Sequence, residues 1–329
     1  MSAIRTLLVI LFACLFSVAA IAKDGPYDVS EMLGEWGDKA RDRQVPFKIY
    51  LPKEAPGARP IVIFSHGLGG SREGAAYLGH YLASYGYVCV HIQHPGSDES
   101  IWKGSPNPME SMRNWFKSPM EVWRQAQARF LDLPLAIDEL SIMNAEDPRL
   151  RGRLDLSRIG MSGHSFGAIS TLAAAGQQMG PARLASSYAE PRIKAAIALS
   201  PSPPQRRTDY ATLYAGIRVP ILHITGTEDK DPVGERFPPE ARFIPFENIT
   251  TTDQYLLVIN GATHMTFGGS ERLSFIPKAE HLHLVEMVSL AFWDAYLLDD
   301  PKAKAWLSRA AAGAIGAQGT FTAKLARPG

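Results

Sequence analysis

The stretch Arg158-Ile159-Gly160-Met161-Ser162-Gly163-His164-Ser165-Phe166-Gly167-Ala168 decides the fold. Its first half, Arg158–Gly163, is a short run of strand type, and Phe166–Gln177 continues as an Ala-rich helix. Between them, Gly163-His164-Ser165-Phe166-Gly167 has the form Gly-x-Ser-x-Gly. A strand that turns sharply into a helix at such a pentapeptide holds its serine up at the sheet edge. The flanking glycines then let neighbouring backbone come close. The helix N-terminus behind the serine favours negative charge developing beside it.

On either side, strand and helix patterns alternate. Phe47–Leu51, Pro60–Phe64, Tyr87–Gln93, Ile193–Leu199, Pro220–Thr225 and Tyr255–Ile259 read as strands, most of them continuous apolar runs. Helical patterns fall at Gly74–Ser84, from Ser118 to about Met143, and at Leu282–Leu297. Ser118-Pro119-Met120-Glu121 supplies an N-cap, a first-turn proline and a glutamate three residues on, and Pro134 is expected to bend that helix. This order predicts an α/β fold: a mostly parallel central sheet flanked by helices, with a cap-like loop insertion. The insertion is expected at about 95–117, and the Ala- and Gly-rich stretch after Asp300 reads as a loose tail. No linker divides residues 23–329, so they read as one domain.

Residues 1–22 read as a signal peptide. Arg5 gives a positive start, Thr6–Val18 is apolar, and Ala20-Ile21-Ala22 fits a cleavage site. An exported protein, periplasmic or secreted, is therefore expected, with no stable membrane insertion once the leader is removed. A membrane anchor is the competing reading, although the apolar run is short for a span. A lipoprotein signal at Cys14 is another, poorly matched by Phe12. Cleavage would leave Cys89 as the only cysteine, in an apolar strand, so the fold must be held by its core rather than by disulfides. With 34 Lys+Arg against 33 Asp+Glu, the charge balance argues against nucleic acid as a partner.

A serine hydroxyl needs a base before it can act as a nucleophile. His223 sits inside a strand, and His281 and His283 are two apart in or near the last helix, so they share no face. His264 follows the last expected strand on a glycine-containing loop, at a carboxyl end where open sheets gather their chemistry. It is the expected base. The base needs a carboxylate to fix its tautomer. Asp229, four residues past the strand that ends at Thr225, is the expected acid, with Glu228 and Asp231 as competitors. The backbone N–H of Phe166 is one expected donor to an oxyanion. The second should come from Ser65-His66-Gly67-Leu68-Gly69-Gly70, from Leu68 or, failing that, Gly69. His66 precedes the nucleophile and reads as a residue that shapes this loop. The glycine-rich stretch lacks the lysine of a phosphate loop, so a nucleotide site is not expected. Phe267, Trp102 and Trp115 are candidate substrate-lining residues, with Met109, Met112 and Phe116 nearby.

The segments Phe64–Gly69, Gly163–Gly167 and Asn260–His264 resemble the α/β-hydrolase superfamily. They look most like its platelet-activating-factor acetylhydrolase and dienelactone-hydrolase-like bacterial branch. The resemblance covers roughly Phe47 to Leu297, with the order Ser165, Asp229, His264. It implies a serine carboxylic ester hydrolase that needs no cofactor or metal, acts on a small-molecule or lipid ester, and uses Leu68 and Phe166 as oxyanion donors. Two departures limit it. The acetylhydrolases carry their acid one strand earlier, where this chain reads Ser200-Pro201-Ser202-Pro203-Pro204 with no carboxylate. Dienelactone hydrolases use a cysteine where this chain has Ser165. An acyltransferase with the same triad, or a binding module on the same fold, are the other readings. A peptidase fits less well, since no subsite for a peptide terminus is readable.

Overall fold

The structure is a computed structural model. It describes residues 25–180, 185–203, 209–231, 237–269 and 276–326. The expected leader at 1–22, with Cys14, lies outside the described residues. The chain runs β1 (Val29–Asp38), β2 (Arg43–Pro52), β3 (Arg59–Ser65), α1 (Ala76–Ser84), β4 (Val88–Ile92), α2 (Pro108–Trp115), α3 (Pro119–Glu146), β5 (Leu154–His164) and α4 (Phe166–Ala175). It continues through β6 (Gln178–Met179), β7 (Ser186–Ser187), β8 (Ile193–Leu199), α5 (Tyr210–Tyr214), β9 (Ile221–Glu228), α6 (Ile244–Asn248) and β10 (Gln254–Thr263). It ends with α7 (Ala279–Leu297), α8 (Pro301–Arg309), α9 (Ala311–Ile315) and β11 (Gly319–Lys324).

Among the described residues, nine strands form one sheet in the order β1-β2-β4-β3-β5-β8-β9-β10-β11. The strands from β4 to β10 in that order pair in parallel, and β1, β2 and β11 add antiparallel edges. This is the α/β-hydrolase fold. The inner parts of the parallel strands are mostly apolar because both faces are covered. On β3, Val62 and Phe64 join the core beneath α1 and α7, while Ile61 and Ile63 join the core beneath α3. On β8, Ala195, Ile197 and Leu199 face one way and Ala196 and Ala198 the other, against α4 and α5. The two-residue period of a strand thus builds a core on each side of the sheet. No helix among the described residues is long and apolar enough to cross a membrane.

Three stretches differ from expectation. The residues after Asp300 are not a loose tail. They form α8 and α9, which bury Leu307 and Ile315 in the core beneath α7, and β11, which pairs antiparallel with β10. The insertion at 95–117 is not all loop. It holds a 3₁₀ turn at Glu99–Ile101 and α2, where Asn107 caps the helix by accepting from Glu110 N at 3.2 Å. The first strand, Val29–Asp38, carries no continuous apolar run, since only Met32 and Trp36 of it are buried. Trp36 stacks on Phe47 of β2 at 4.1 Å.

One buried polar frame ties α3 to the sheet. Asp132 of α3 is fully buried, and its Oδ2 accepts from Arg43 Nη2 at 2.8 Å and from His94 Nδ1 at 2.9 Å. Arg41 Nη1 and Arg43 Nε each donate to Oδ1 at 2.9 Å. Burial opposes the Asp132 charge, but the hydrogen bonds from His94 and Arg43 outweigh it and hold the carboxyl at about 2. A carboxyl held below its unfolded value near 3.9 stabilises the fold above that value and loses this contribution as pH falls towards 2. His94, which burial holds at about 4, adds a loss in the same direction below its unfolded value. Urea unfolding between pH 5 and pH 2 should therefore show wild type losing on the order of 2 kcal/mol more than Asp132→Asn. Parallel pH curves for the two proteins would contradict this account of the frame.

Candidate active site

β5 ends at His164 and α4 begins at Phe166, so the chain turns within one residue. That residue, Ser165, has φ +56° and ψ −113°, a region L-residues rarely adopt and one that costs about 1–3 kcal/mol. The surroundings hold it there. Ser165 N donates to Leu199 O at 2.9 Å, joining the turn to the end of β8. The two flanking glycines are required by close approach. A Cβ on Gly167 would lie 1.9 Å from Ser65 O, and one on Gly163 would lie 2.4 Å from Gly167 O.

His264 opens a 3₁₀ turn directly after β10, and Asp229 follows β9. The structure brings them to Ser165. His264 Nε2 lies 2.9 Å from Ser165 Oγ, and His264 Nδ1 lies 2.9 Å from Asp229 Oδ1. Asp229 is fully buried, and its Oδ2 accepts from Thr225 Oγ1 at 2.7 Å and from Ser200 Oγ. Burial works against its charge, but the hydrogen bond and charge of His264 and the charge of Arg242 outweigh it, and the carboxyl is held below its ordinary range. An ionised Asp229 can only accept, so Nδ1 of His264 carries the proton and Nε2 is left to accept from the Ser165 hydroxyl. Of the competing carboxylates, Glu228 is exposed and Asp231 lies on the cavity wall. The stretch where the acetylhydrolase resemblance would have put an acid supplies Ser200 instead, which donates to Asp229.

Two further residues complete this cluster, and sequence reasoning gave neither of them a role. Arg242, fully buried in the 3₁₀ turn Pro239–Phe243, places Nε 2.8 Å from Asp229 Oδ1 and donates to Ser200 O at 3.0 Å. Its Nη2 is 3.0 Å from His264 Nδ1, while Arg242 Nε and His264 Nδ1 both reach Asp229 Oδ1. No local pattern marks an arginine for such burial. His164, the residue before the serine, donates from Nε2 to His264 O at 2.9 Å. Burial, with His264 alongside, pulls its ring down to about 3, so it is a neutral strut beneath His264.

Across from the serine lies the loop after β3. Gly69 N donates to Ser97 O at 2.9 Å, which removes it as a donor to the site. Phe166 N is at the first position of α4, where a helix leaves N–H groups without intrahelical partners. His66 is buried, accepts from His94 N at Nε2 (3.0 Å), and donates from Nδ1 to Gly67 O at 2.6 Å. It shapes the loop.

A cavity of about 880 Å³ opens beside Ser165 and His264. Leu68, Trp102, Met109, Met112, Phe116 and Trp123 line much of it. Trp102 stands on the wall as expected and donates to Gly69 O at 2.6 Å. Phe267 and Trp115 do not line it. Phe267 is fully buried on the far side of the His264 turn, in the core beneath α1 and α7. Trp115 packs behind the wall, its ring 5.7 Å from Phe166 and its Nε1 on Gly96 O at 3.1 Å. From α2 and its C-cap residue the cavity takes Met109, Met112 and Phe116, at spacings of three and four, and Trp115 falls on the adjoining face.

The family model of platelet-activating factor acetylhydrolase, isoform II, matches residues 42–115, the segment that carries the loop after β3. Platelet-activating factor acetylhydrolase of Cavia porcellus is 30% identical over 152 residues, covering 39% of this chain and 34% of its own length. Cutinase est1 of Thermobifida alba is 28% identical over 248 residues, covering 74% of this chain and 65% of its own length. A cutinase of Thermobifida fusca is 28% identical over 246 residues, covering 74% of this chain and 60% of its own length. The chain thus spans less than two thirds of each of these relatives. The sheet topology is that of the α/β-hydrolase fold, and these sequence similarities are to acetylhydrolases and cutinases.

Proposed function

We propose that this chain is an exported serine carboxylic ester hydrolase that works through an acyl-enzyme. One observation carries the reading: His264 stands between Ser165 and Asp229, 2.9 Å from each, at the mouth of an apolar cavity. Relatives named acetylhydrolase and cutinase support it. The leader-like pattern of residues 1–22 supports export.

In this reading the ester carbonyl sits above Ser165 with its apolar group in the cavity. His264 Nε2 takes the hydroxyl proton as Ser165 Oγ attacks the carbonyl carbon, and Asp229 stabilises the imidazolium that forms. The carbonyl oxygen becomes an oxyanion and accepts from the backbone N–H groups of Leu68 and Phe166. His264 then gives its proton to the departing alkoxide, which leaves as the alcohol. Water, deprotonated by the same nitrogen, attacks the acyl-enzyme, and the acid leaves as Ser165 regains its proton. No step needs a cofactor. Trp102, Met109, Met112 and Phe116 would bind the apolar group by burial alone, about 0.8 kcal/mol for each CH₂ removed from water.

Hydrolysis of p-nitrophenyl esters from acetyl to palmitoyl tests the reading. Wild type is expected to turn over, with its optimum beyond acetyl. Ser165→Ala and His264→Ala should lower kcat by roughly 10⁴- to 10⁶-fold, and Asp229→Asn by roughly 10⁴-fold. Narrowing the cavity with Met112→Trp should shift the optimum to shorter chains. Undiminished turnover in Ser165→Ala would remove the serine from the mechanism.

A further inference from the structure

We propose that Arg129, on α3, is a positioning residue for the oxyanion hole: with His66 it fixes the plane of the Gly67–Leu68 peptide and so aims the Leu68 N–H at the carbonyl oxygen above Ser165. The proposal rests on the ester-hydrolase reading and deepens it.

Peptide planarity couples the two polar groups of the Gly67–Leu68 unit. The C=O of Gly67 and the N–H of Leu68 belong to one planar group, and across a trans peptide they point in opposite directions. Whatever holds the carbonyl on one side therefore aims the N–H to the other. Three donors converge on Gly67 O: His66 Nδ1 at 2.6 Å, Gly70 N at 3.1 Å and Arg129 Nη2 at 3.4 Å. His66 can donate from Nδ1 because its Nε2 accepts from His94 N at 3.0 Å, which fixes the neutral tautomer. Gly67 itself is packed against the nucleophile, since a Cβ there would stand 3.3 Å from Ser165 Cβ. The peptide that carries the Leu68 N–H is thus beside the reacting atom.

Arg129 grips this loop on both sides of Leu68. Its Nη1 donates to His66 O at 2.7 Å. Its Nε donates to Ser97 Oγ at 2.8 Å, and Ser97 O in turn accepts from Gly69 N at 2.9 Å. The guanidinium also lies 4.3 Å from the centre of the Phe166 ring. Phe166 supplies the other oxyanion donor, so one side chain braces both halves of the hole.

The charge of Arg129 adds a second effect. The side chain is 1% exposed. Burial pulls its guanidinium down to about 9, still cationic at neutral pH. Its partners are carbonyl and hydroxyl oxygens, with His66 Nδ1 also 3.2 Å from Nη2, and no carboxylate is among these contacts. A cation placed behind the Gly67 carbonyl polarises that peptide and makes its N–H a stronger donor.

A merely structural arginine would alter folding and leave the oxyanion untouched, so the test reads the oxyanion itself. An alkyl trifluoromethyl ketone, ¹³C-labelled at its carbonyl, adds to Ser165 as a hemiketal whose hydroxyl titrates in the hole. Wild type, Arg129→Met, Arg129→Lys and Ser165→Ala are compared by the pH titration of that carbon signal, and by kcat and KM on p-nitrophenyl butyrate. For Arg129→Met, kcat should fall ~10- to 100-fold with KM changed less than about threefold. Its hemiketal should titrate at least about 1 pH unit higher than in wild type. Arg129→Lys, which keeps the charge and loses the fork, should fall between, and it carries the test if Arg129→Met does not fold. A hemiketal that titrates as in wild type in the folded variants would overturn the proposal while leaving the esterase reading intact. Failure of wild type to form a hemiketal, with turnover unaffected by Ser165→Ala, would overturn both.

Discussion

Between β5 and α4 the chain reverses in a single residue, and that residue is a serine at φ +56°. The turn works only because two other strands close around it. Ser65 O, at the end of β3, comes so near Gly167 that no side chain fits between them, and Leu199 O, at the end of β8, accepts from Ser165 N at 2.9 Å. The local strain, about 1–3 kcal/mol, is therefore offset by the sheet rather than by the turn itself. The same closeness brings the loop after β3 and the carboxyl ends of β9 and β10 around one oxygen atom. A parallel sheet puts its strand ends on one edge, and the turn lifts the Ser165 hydroxyl into their midst.

Buried polar clusters flank that oxygen on two sides. On the β9–β10 side, Asp229 is bonded by His264, Arg242, Thr225 and Ser200. Beneath the loop after β3, Arg129, His94, Ser65 and Asp132 form a connected frame, with His94 Nε2 2.9 Å from Ser65 Oγ and Arg129 Nη1 3.3 Å from the same oxygen. Buried charges are costly unless they are paired and hydrogen-bonded, and they then hold their neighbours in one arrangement. Here they fix backbone as well as side chains: Arg242 binds Ser200 O and Asp229 O, His164 binds His264 O, and Arg129 binds His66 O. The loops that carry the site are thus held by groups that no single loop contains.

This distribution explains what the sequence could and could not tell. Ser165 was legible because an apolar strand, a glycine-flanked serine and an alanine-rich helix follow one another without a gap. His264 and Asp229 were legible as polar residues just past apolar strands, a position the fold gives to its chemistry. Arg129 and Arg242 were not, since no local pattern sets either arginine apart and only packing across the fold buries it. Phe267 misled because nearness in sequence to His264 does not fix direction, and the 3₁₀ turn between them sends the ring into the core. The edge strands β1 and β11 are half-exposed, so they lack the continuous apolar run that marks the inner strands. The stretch after Asp300 looked loose because only well-spaced anchors, among them Leu307 and Ile315, hold its helices down.

In the proposed reaction Ser165 attacks a carbonyl whose oxygen is received by the N–H groups of Leu68 and Phe166. A crystal structure of the protein inactivated by an alkyl p-nitrophenyl phosphonate tests it most directly, because the phosphorus mimics the tetrahedral carbon. The account expects phosphorus bonded to Ser165 Oγ, the phosphoryl oxygen within about 2.7–3.1 Å of both Leu68 N and Phe166 N, and the alkyl chain in the cavity beside Trp102. An adduct on another residue, or a phosphoryl oxygen turned to solvent with those two N–H groups unoccupied, would contradict it.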